Sequence, residues 1–375
     1  MQPLTLGLVV GVWGVWLAAC GHHGSNADLV DAPQDVDALV CTAAQAMCGD
    51  ACSDLMTDVN NCGACGHVCG CGSTSCTAGV CDAHVLAPNQ GAPVEIALHN
   101  DTLYWGNDVD RTVSTLPVAG GTASVLYPGR TAVRGFAFDA TRLYFTRVVF
   151  NIVESAALDG TNSGSFTNAR EPGAAGIATD VSAAYWATYD GGTTGLIRTA
   201  ALGARGTGTT LVSNQVSPDG VAVDATSIYW TTHTPTGGTV MKVPKAGGTP
   251  VTLAGNQANP HSIAVAGGFV YWTNQGDGTA NTGSVRRIAV GGGAITTFAD
   301  QQPFPYTVAV DASYVYWTDN VAATVMRAPL AGGPPVAVVV REAGPIGLAL
   351  SPTCLYFTDY AGGTTAGSVR SHDLD

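Results

Sequence analysis

The residues with most chemistry to offer are cysteines. The stretch NCGACGHVCG at 61–70 sets Cys62, Cys65 and Cys69 as C-x-x-C followed by a third Cys. Such sulfurs could ligate zinc, exchange disulfides with a substrate, or be locked in structural disulfides. The wider set is Cys41, Cys48, Cys52, Cys62, Cys65, Cys69, Cys71, Cys76 and Cys81, with Cys20 before it and Cys354 far beyond. Successive gaps of 7, 4, 10, 3, 4, 2, 5 and 5 residues fit poorly with zinc, which wants two close pairs across a longer spacer. Gly63 and the flanking Asn and Gly residues favour a turn over the helix start on which a redox C-x-x-C depends. Structural disulfides become the expectation if the chain is exported.

The N-terminus points to export. Residues 1–19, MQPLTLGLVVGVWGVWLAA, carry no charged side chain and match the length and polarity of an export signal's apolar core. The run ends in LAAC at Leu17–Cys20, which resembles the processing box of bacterial lipoproteins. The resemblance implies cleavage before Cys20 and acylation of that residue, hence an anchor in the bacterial cell envelope. Gly21 lacks the Asp that often marks inner-membrane retention, so the outer membrane or cell surface is expected. An uncleaved apolar N-terminus is the alternative. Residues 20–40 hold Gly, Ser, Asn, Asp and Pro with little apolar periodicity and read as a lipidated, solvated tether; His22 and His23 lie there and read as incidental.

Charge excludes some partners. With 15 Lys and Arg against 28 Asp and Glu, the net charge is −13, which argues against nucleic acid and anionic membrane surfaces. Only 11% of residues are charged while 48 are Gly, too apolar for disorder and too rich in turns for a helical protein.

The elements that would carry any site repeat. An aromatic pair recurs at Tyr104-Trp105, Tyr144-Phe145, Tyr185-Trp186, Tyr229-Trp230, Tyr271-Trp272, Tyr316-Trp317 and Tyr356-Phe357, at intervals of 40, 41, 44, 42, 45 and 40 residues. Around each pair four short apolar runs alternate with turn residues, clearest in DGVAVDATSIYWTTHTPTGGTVMKVPKAGGTPVTLAGN. Asp139, Asp180, Asp224 and Asp311 close first strands and read as turn initiators, because a carboxylate there can accept backbone N–H groups two residues on. Neighbouring Tyr and Trp point to opposite faces of a strand, so each such strand is buried between stacked sheets.

Four-stranded units of this length in series predict a β-propeller. The phrase TVAVDASYVYWTDNVAATVMRAPLAGG resembles the repeat of the YWTD propellers of lipoprotein-receptor ectodomains. That family commonly has six blades. Seven aromatic pairs predict seven here, with six as the alternative. The last unit stops after its third strand, whereas DAHVLAPNQGAP before the first unit matches fourth strands such as TPVTLAGNQANP; a strand at 82–88 should therefore close the ring and remove its open edges. The expected fold is thus all-β, with a small disulfide-rich knot at 41–81 preceding a propeller at 82–375.

Residues 48–81 resemble the stigma-specific cysteine-rich family through the NCGACGHVC core and the closing CTAGVC, a resemblance that says little about activity. Nine cysteines cannot all pair among themselves. Cys354 supplies the tenth and lies in the turn between the first two strands of the last blade, beside the predicted closing strand. A bond to Cys81, or to a neighbour such as Cys76, is expected, with a free Cys354 as the alternative.

No nucleophile elbow, HExxH, P-loop or dinucleotide fingerprint is present, and no cofactor or metal is expected. DGTNSG at 159–164 and GDGTANTG at 276–283 lack the spaced acidic ligands of a calcium loop and read as turns. The longer, variable connections join second to third strands, on the same face as the blade-to-blade links, where binding on a rigid scaffold usually resides. Ten residues before each Tyr, where the innermost strand begins, stand Val94, Arg134, Ala175, Asp219, His261, Tyr306 and Ile346. Arg134, Asp219, His261 and Tyr306 should converge at the mouth of the central channel. The function expected is a non-enzymatic binding module, monomeric and membrane-anchored through its lipid, taking an unknown protein or small-molecule ligand at the long-loop face. A structural or adhesive surface protein is one alternative; a lyase or lactonase with a metal site in the channel is another.

Overall fold

The computed structural model describes residues 41–130, 132–189, 194–203 and 205–374. Cys20, the signal segment and the tether fall outside the described residues. Seven four-stranded antiparallel sheets follow one another, each in simple sequence order from axis to rim, and the seventh is completed by the strand that precedes the first. The alternative of six blades is thereby excluded. Blade 4 is representative, built from Pro218–Val223, Ser227–Thr232, Gly238–Pro244 and Val251–Gln257. Blades 1, 2, 3, 5 and 6 begin at residues 93, 133, 177, 260 and 305. Blade 7 is made of Pro345–Leu350, Cys354–Asp359 and Gly367–Asp373, with His84–Gln90 as its outer strand. Gln90 pairs with Gly367 and His84 with Ser371, so the seam closes where sequence placed it, two residues further along.

The aromatic pairs form a belt between blades. Trp105, Trp186, Trp230, Trp272 and Trp317 have no exposed surface, and burial of each is worth about 4–6 kcal/mol of gross hydrophobic stabilisation. A buried indole N–H needs an acceptor. It finds one 15 residues upstream each time: Trp105, Trp230, Trp272 and Trp317 donate to Oε1 of Gln90, Gln215, Gln257 and Gln302 at 3.0–3.2 Å, and Trp186 donates to Glu171 at 3.1 Å. Blades 2 and 7 have Phe145 and Phe357, which carry no N–H, and the equivalent positions hold Arg130 and Glu342. These charges pair with Glu154 (2.6 Å) and with Arg370 instead. On the opposite face the Tyr hydroxyls of blades 2, 3, 4 and 6 donate to Asp139, Asp180, Asp224 and Asp311 at 2.6–2.9 Å. The same carboxylates accept backbone N–H groups of the following turn at 2.6–2.9 Å, so these aspartates are turn and belt residues.

The knot holds two short hairpins, Ala46–Cys48 with Ala51–Ser53 and Cys76–Thr77 with Val80–Cys81. Its disulfides are Cys41–Cys52, Cys48–Cys65, Cys62–Cys76 and Cys69–Cys81. Cys354 bonds to Cys71 rather than to Cys81 or Cys76. Cys76 and Cys81 face each other in the second hairpin and both are spent inside the knot, whereas residues 70–71 run along the end of blade 7. There Gly70 N donates to Asp373 Oδ2 (2.6 Å) and Ser371 Oγ to the Cys71 carbonyl (2.6 Å), which presents Cys71 to the turn before Cys354. All ten cysteines from Cys41 onward are oxidised, and none offers a thiolate to a metal.

Candidate functional site

The channel mouth is shaped by backbone before any side chain is considered. In six blades the first strand carries a register shift just after its first residue, as between Pro218 and Val221 or Pro260 and Ile263. Such bulges bend a strand and re-aim the residues within them. Close packing at the axis fixes the rest. A Cβ on Gly220 would stand 2.5 Å from the His261 carbonyl, and one on Gly347 would stand 2.4 Å from the Val94 carbonyl, so only glycine lets neighbouring inner strands approach this far.

A second repeat feature clamps this ring. The Thr that follows the aromatic pair donates its hydroxyl to the carbonyl of the mouth residue in the next blade. Thr231 reaches His261 (2.7 Å), Thr273 Tyr306 (2.8 Å), Thr318 Ile346 (2.7 Å) and Thr358 Val94 (2.5 Å), and Thr146 reaches Ala175. Blades 1 and 3 have Gly106 and Ala187 at that position. The residues that follow these gaps are the two charged ones, Arg134 and Asp219; the Asp219 carbonyl is held by Gly176 N instead (3.0 Å).

Arg134, Asp219, His261 and Tyr306 line one cavity of about 420 Å³, together with His233, Gln275, Tyr189 and Phe304. Asp219 sits between two imidazoles, its Oδ2 3.5 Å from His261 Nε2 and 3.7 Å from His233 Nδ1. The His233 and His261 rings meet edge to face at 5.9 Å, and His261 packs on Tyr306 at 4.4 Å between centroids. Burial, only partly offset by the Asp219 charge, holds His233 below the usual imidazole range, so it is neutral near pH 7. Burial and the charge of Glu95 push the Tyr306 phenol up, keeping it a hydrogen-bond donor.

Glu95 is the group that the sequence reading missed. It stands one residue past the sampled position, where the other units hold Gly135, Gly176, Gly220, Ser262, Thr307 and Gly347. A charge in that series was the available signal. Burial pushes its carboxyl up to about 7, Asp219 and Asp108 act in the same direction, and Arg134 opposes them. His233 was missed because it comes from the loop after the second strand of blade 4.

These donors do not make a closed metal site. Among the described residues, clusters with all ligand atoms within 4.8 Å of one another are Cys62/Cys69/Cys81 and His67/Cys81/Asp373, both built on disulfide sulfur; Asp219, His233 and His261 do not reach that mutual spacing. The two loops weighed as calcium sites are turns: Asp159 accepts Thr161 N at 2.9 Å, and Asp277 accepts Thr279 N at 3.0 Å and Thr282 Oγ1 at 2.9 Å. On the opposite face a broad depression of about 1360 Å³ is lined by the Asp139, Asp180 and Asp224 turns, whose polar groups are already engaged.

No protein-family model matches the sequence, and no curated protein matches it significantly. Solved structures do. A streptogramin B lyase superposes with a TM-score of 0.64 at 15% identity, over 78% of this chain and 97% of that one. A catalytically inactive virginiamycin B lyase from Staphylococcus aureus with quinupristin gives 0.64 at 14%, over 78% and 98%. Hydrazine synthase of Kuenenia stuttgartiensis gives 0.64 at 16%, over 76% and 96%. At such identities the likeness is one of architecture: the chain is a seven-bladed β-propeller with a disulfide-rich N-terminal segment.

Proposed function

We propose that this chain is an exported binding protein, anchored in the cell envelope through lipidated Cys20, whose propeller takes a small molecule at the channel mouth. The observation that carries the reading is the convergence of Arg134, Asp219, His233, His261 and Tyr306, from blades 2, 4, 5 and 6, on one cavity of about 420 Å³. The repeat's other mouth positions are apolar: Ala175, which also lines this cavity, and Val94 and Ile346 beyond it. A concave site with a few convergent polar groups in aromatic and apolar walls is the form small-molecule sites take. Ten paired cysteines support an oxidising compartment. A thermal-shift screen of metabolites tests the site: a ligand at a hundred times its Kd adds about 2.7 kcal/mol, and the shift should vanish in Asp219→Ala with His261→Ala. Cys20→Ser should move the protein from the membrane to the soluble fraction; unchanged fractionation would remove the anchor from the proposal.

A second reading, acid–base catalysis such as a lyase performs, is favoured by Asp219 lying between two imidazoles, one of which packs on the Tyr306 ring. A neutral His233 could accept a proton and the phenol could donate one. Turnover of a bound ligand, lost in His233→Ala with binding retained, would select this reading over simple binding.

A further inference from the structure

The cavity at the mouth holds two opposite charges that do not meet. Arg134 comes from the first strand of blade 2 and Asp219 from the first strand of blade 4, and both line the cavity. Among the described residues no carboxylate oxygen lies within 4.0 Å of the Arg134 guanidinium, and no group hydrogen-bonds to it. Asp219 has beside it the imidazoles of His261 and His233, at 3.5 and 3.7 Å. Elsewhere the fold pairs its inward arginines: Arg147 with Glu154 (3.1 Å) and Arg198 with Glu171 (3.0 Å).

A third group is also left open. Gln275 follows the second strand of blade 5, is only 8% exposed and lines the same cavity. Its side-chain amide has no partner among the described residues. Gln257, equally buried, is held at both ends, by the Gly255 carbonyl (2.7 Å) and the Trp272 N–H (3.1 Å). A buried amide needs partners for its donor and its acceptor, and at Gln275 the contents of the cavity must supply them.

The walls add an apolar component. Tyr189, Phe304 and Tyr306 line the cavity, and its lining residues Val148 and Ser217 continue in sequence into the exposed Val149 and Val216. A volume of about 420 Å³ lies at the small end of small-molecule sites, which span about 300–1,000 Å³. A ligand of single charge, on filling this space, would strip water from the opposite charge without giving it a partner, which costs free energy. A ligand carrying both signs satisfies both.

We infer that the ligand recognised at this mouth is a small zwitterion of the α-amino-acid kind with an apolar side group. Its carboxylate pairs with Arg134, in the fork geometry that guanidinium offers, and its ammonium pairs with Asp219. The side group lies against the aromatic wall, and the Gln275 amide serves either charged end. The inference rests on the reading of the mouth as a binding site and names what it takes.

The test is calorimetry of the full chain in detergent near neutral pH. The probes are L-phenylalanine, 2-phenylethylammonium, which lacks the carboxylate, 3-phenylpropanoate, which lacks the ammonium, and the neutral 3-phenylpropanamide. Phenylalanine should bind about tenfold or more tightly than each of the others. Arg134→Gln should weaken phenylalanine about tenfold or more while leaving 2-phenylethylammonium bound no worse; Asp219→Asn should weaken phenylalanine similarly while leaving 3-phenylpropanoate bound no worse. A folding defect would weaken every probe alike, so these opposite responses separate recognition from damage. A singly charged or neutral probe binding best, with binding lost in Asp219→Ala with His261→Ala, would overturn the zwitterion assignment and leave the mouth as a binding site. An undiminished preference for phenylalanine in either charge variant would overturn the pairing assigned to that residue. No heat from any probe would overturn the inference, and the thermal-shift screen would then decide the binding reading by itself.

Discussion

The belt and the mouth of this propeller use the same repeat in opposite ways. In the belt, position by position, each blade meets the same demand with the same answer. A Trp is matched by a Gln or Glu 15 residues earlier, and where Phe removes the N–H, a charged pair takes the acceptor's place. At the mouth the equivalent positions differ from blade to blade, and Arg134 and Asp219 come where the threonine clamp is missing. Identity among units marks what the fold needs. Difference among units, on the same blade backbone, marks what remains for a ligand.

This contrast can be broken at several points. The largest effect should come from the belt: Trp272→Ala removes a fully buried ring and should cost about 3–5 kcal/mol in urea unfolding. Removing Cys71–Cys354, which spans 283 residues, by Cys71→Ser with Cys354→Ser should cost about 2–4 kcal/mol and free the knot from the seam, visible as faster amide exchange in His84–Gln90. Gln257→Ala orphans the buried Trp272 indole and takes from the Asn274 amide one of its two acceptors, leaving Ser284 Oγ at 2.9 Å; about 2 kcal/mol should be lost.

Mouth substitutions should behave differently, and Glu95 shows the sign. Its carboxyl titrates near 7 in the fold against an ordinary 4.5. Between those values the folded state keeps a proton that the unfolded state has lost, so this contribution to stability is complete below pH 4.5 and gone once the pH passes about 7. Glu95→Gln should therefore match the wild type at pH 4 and exceed it by about 1–2 kcal/mol at pH 8, less than the full shift implies because channel water screens the charge. A destabilised Glu95→Gln at pH 8 would mean that the carboxylate has a structural partner. Asp219→Asn should change stability by about 0.5 kcal/mol or less while weakening ligand binding.

Most of the belt was legible in sequence because it is periodic: the Tyr-Trp spacing, the turn aspartates and the missing fourth strand of the last unit each announce themselves by repetition. The Gln partners at a fixed 15 residues were equally readable and went unread. The mouth was legible in part. Arg134, Asp219, His261 and Tyr306 could be aligned by counting back from Tyr, but a bulge breaks strict alternation, between Pro93 and Ile96 in blade 1, and a count by twos passes over Glu95. His233 lies on a loop whose length varies among units, beyond the reach of any count. Cys71 escaped for a related reason: in the unrepeated knot, only the path of the chain along blade 7 decides which sulfur meets Cys354.

The central claim is that the mouth, unlike the belt, holds convergent polar groups for a ligand. A crystal soaked with a compound that shifts the unfolding temperature tests it most directly. The account predicts the compound in contact with Asp219 and His261 and against Tyr306 or Phe304. The compound bound elsewhere, with the mouth empty, would contradict it.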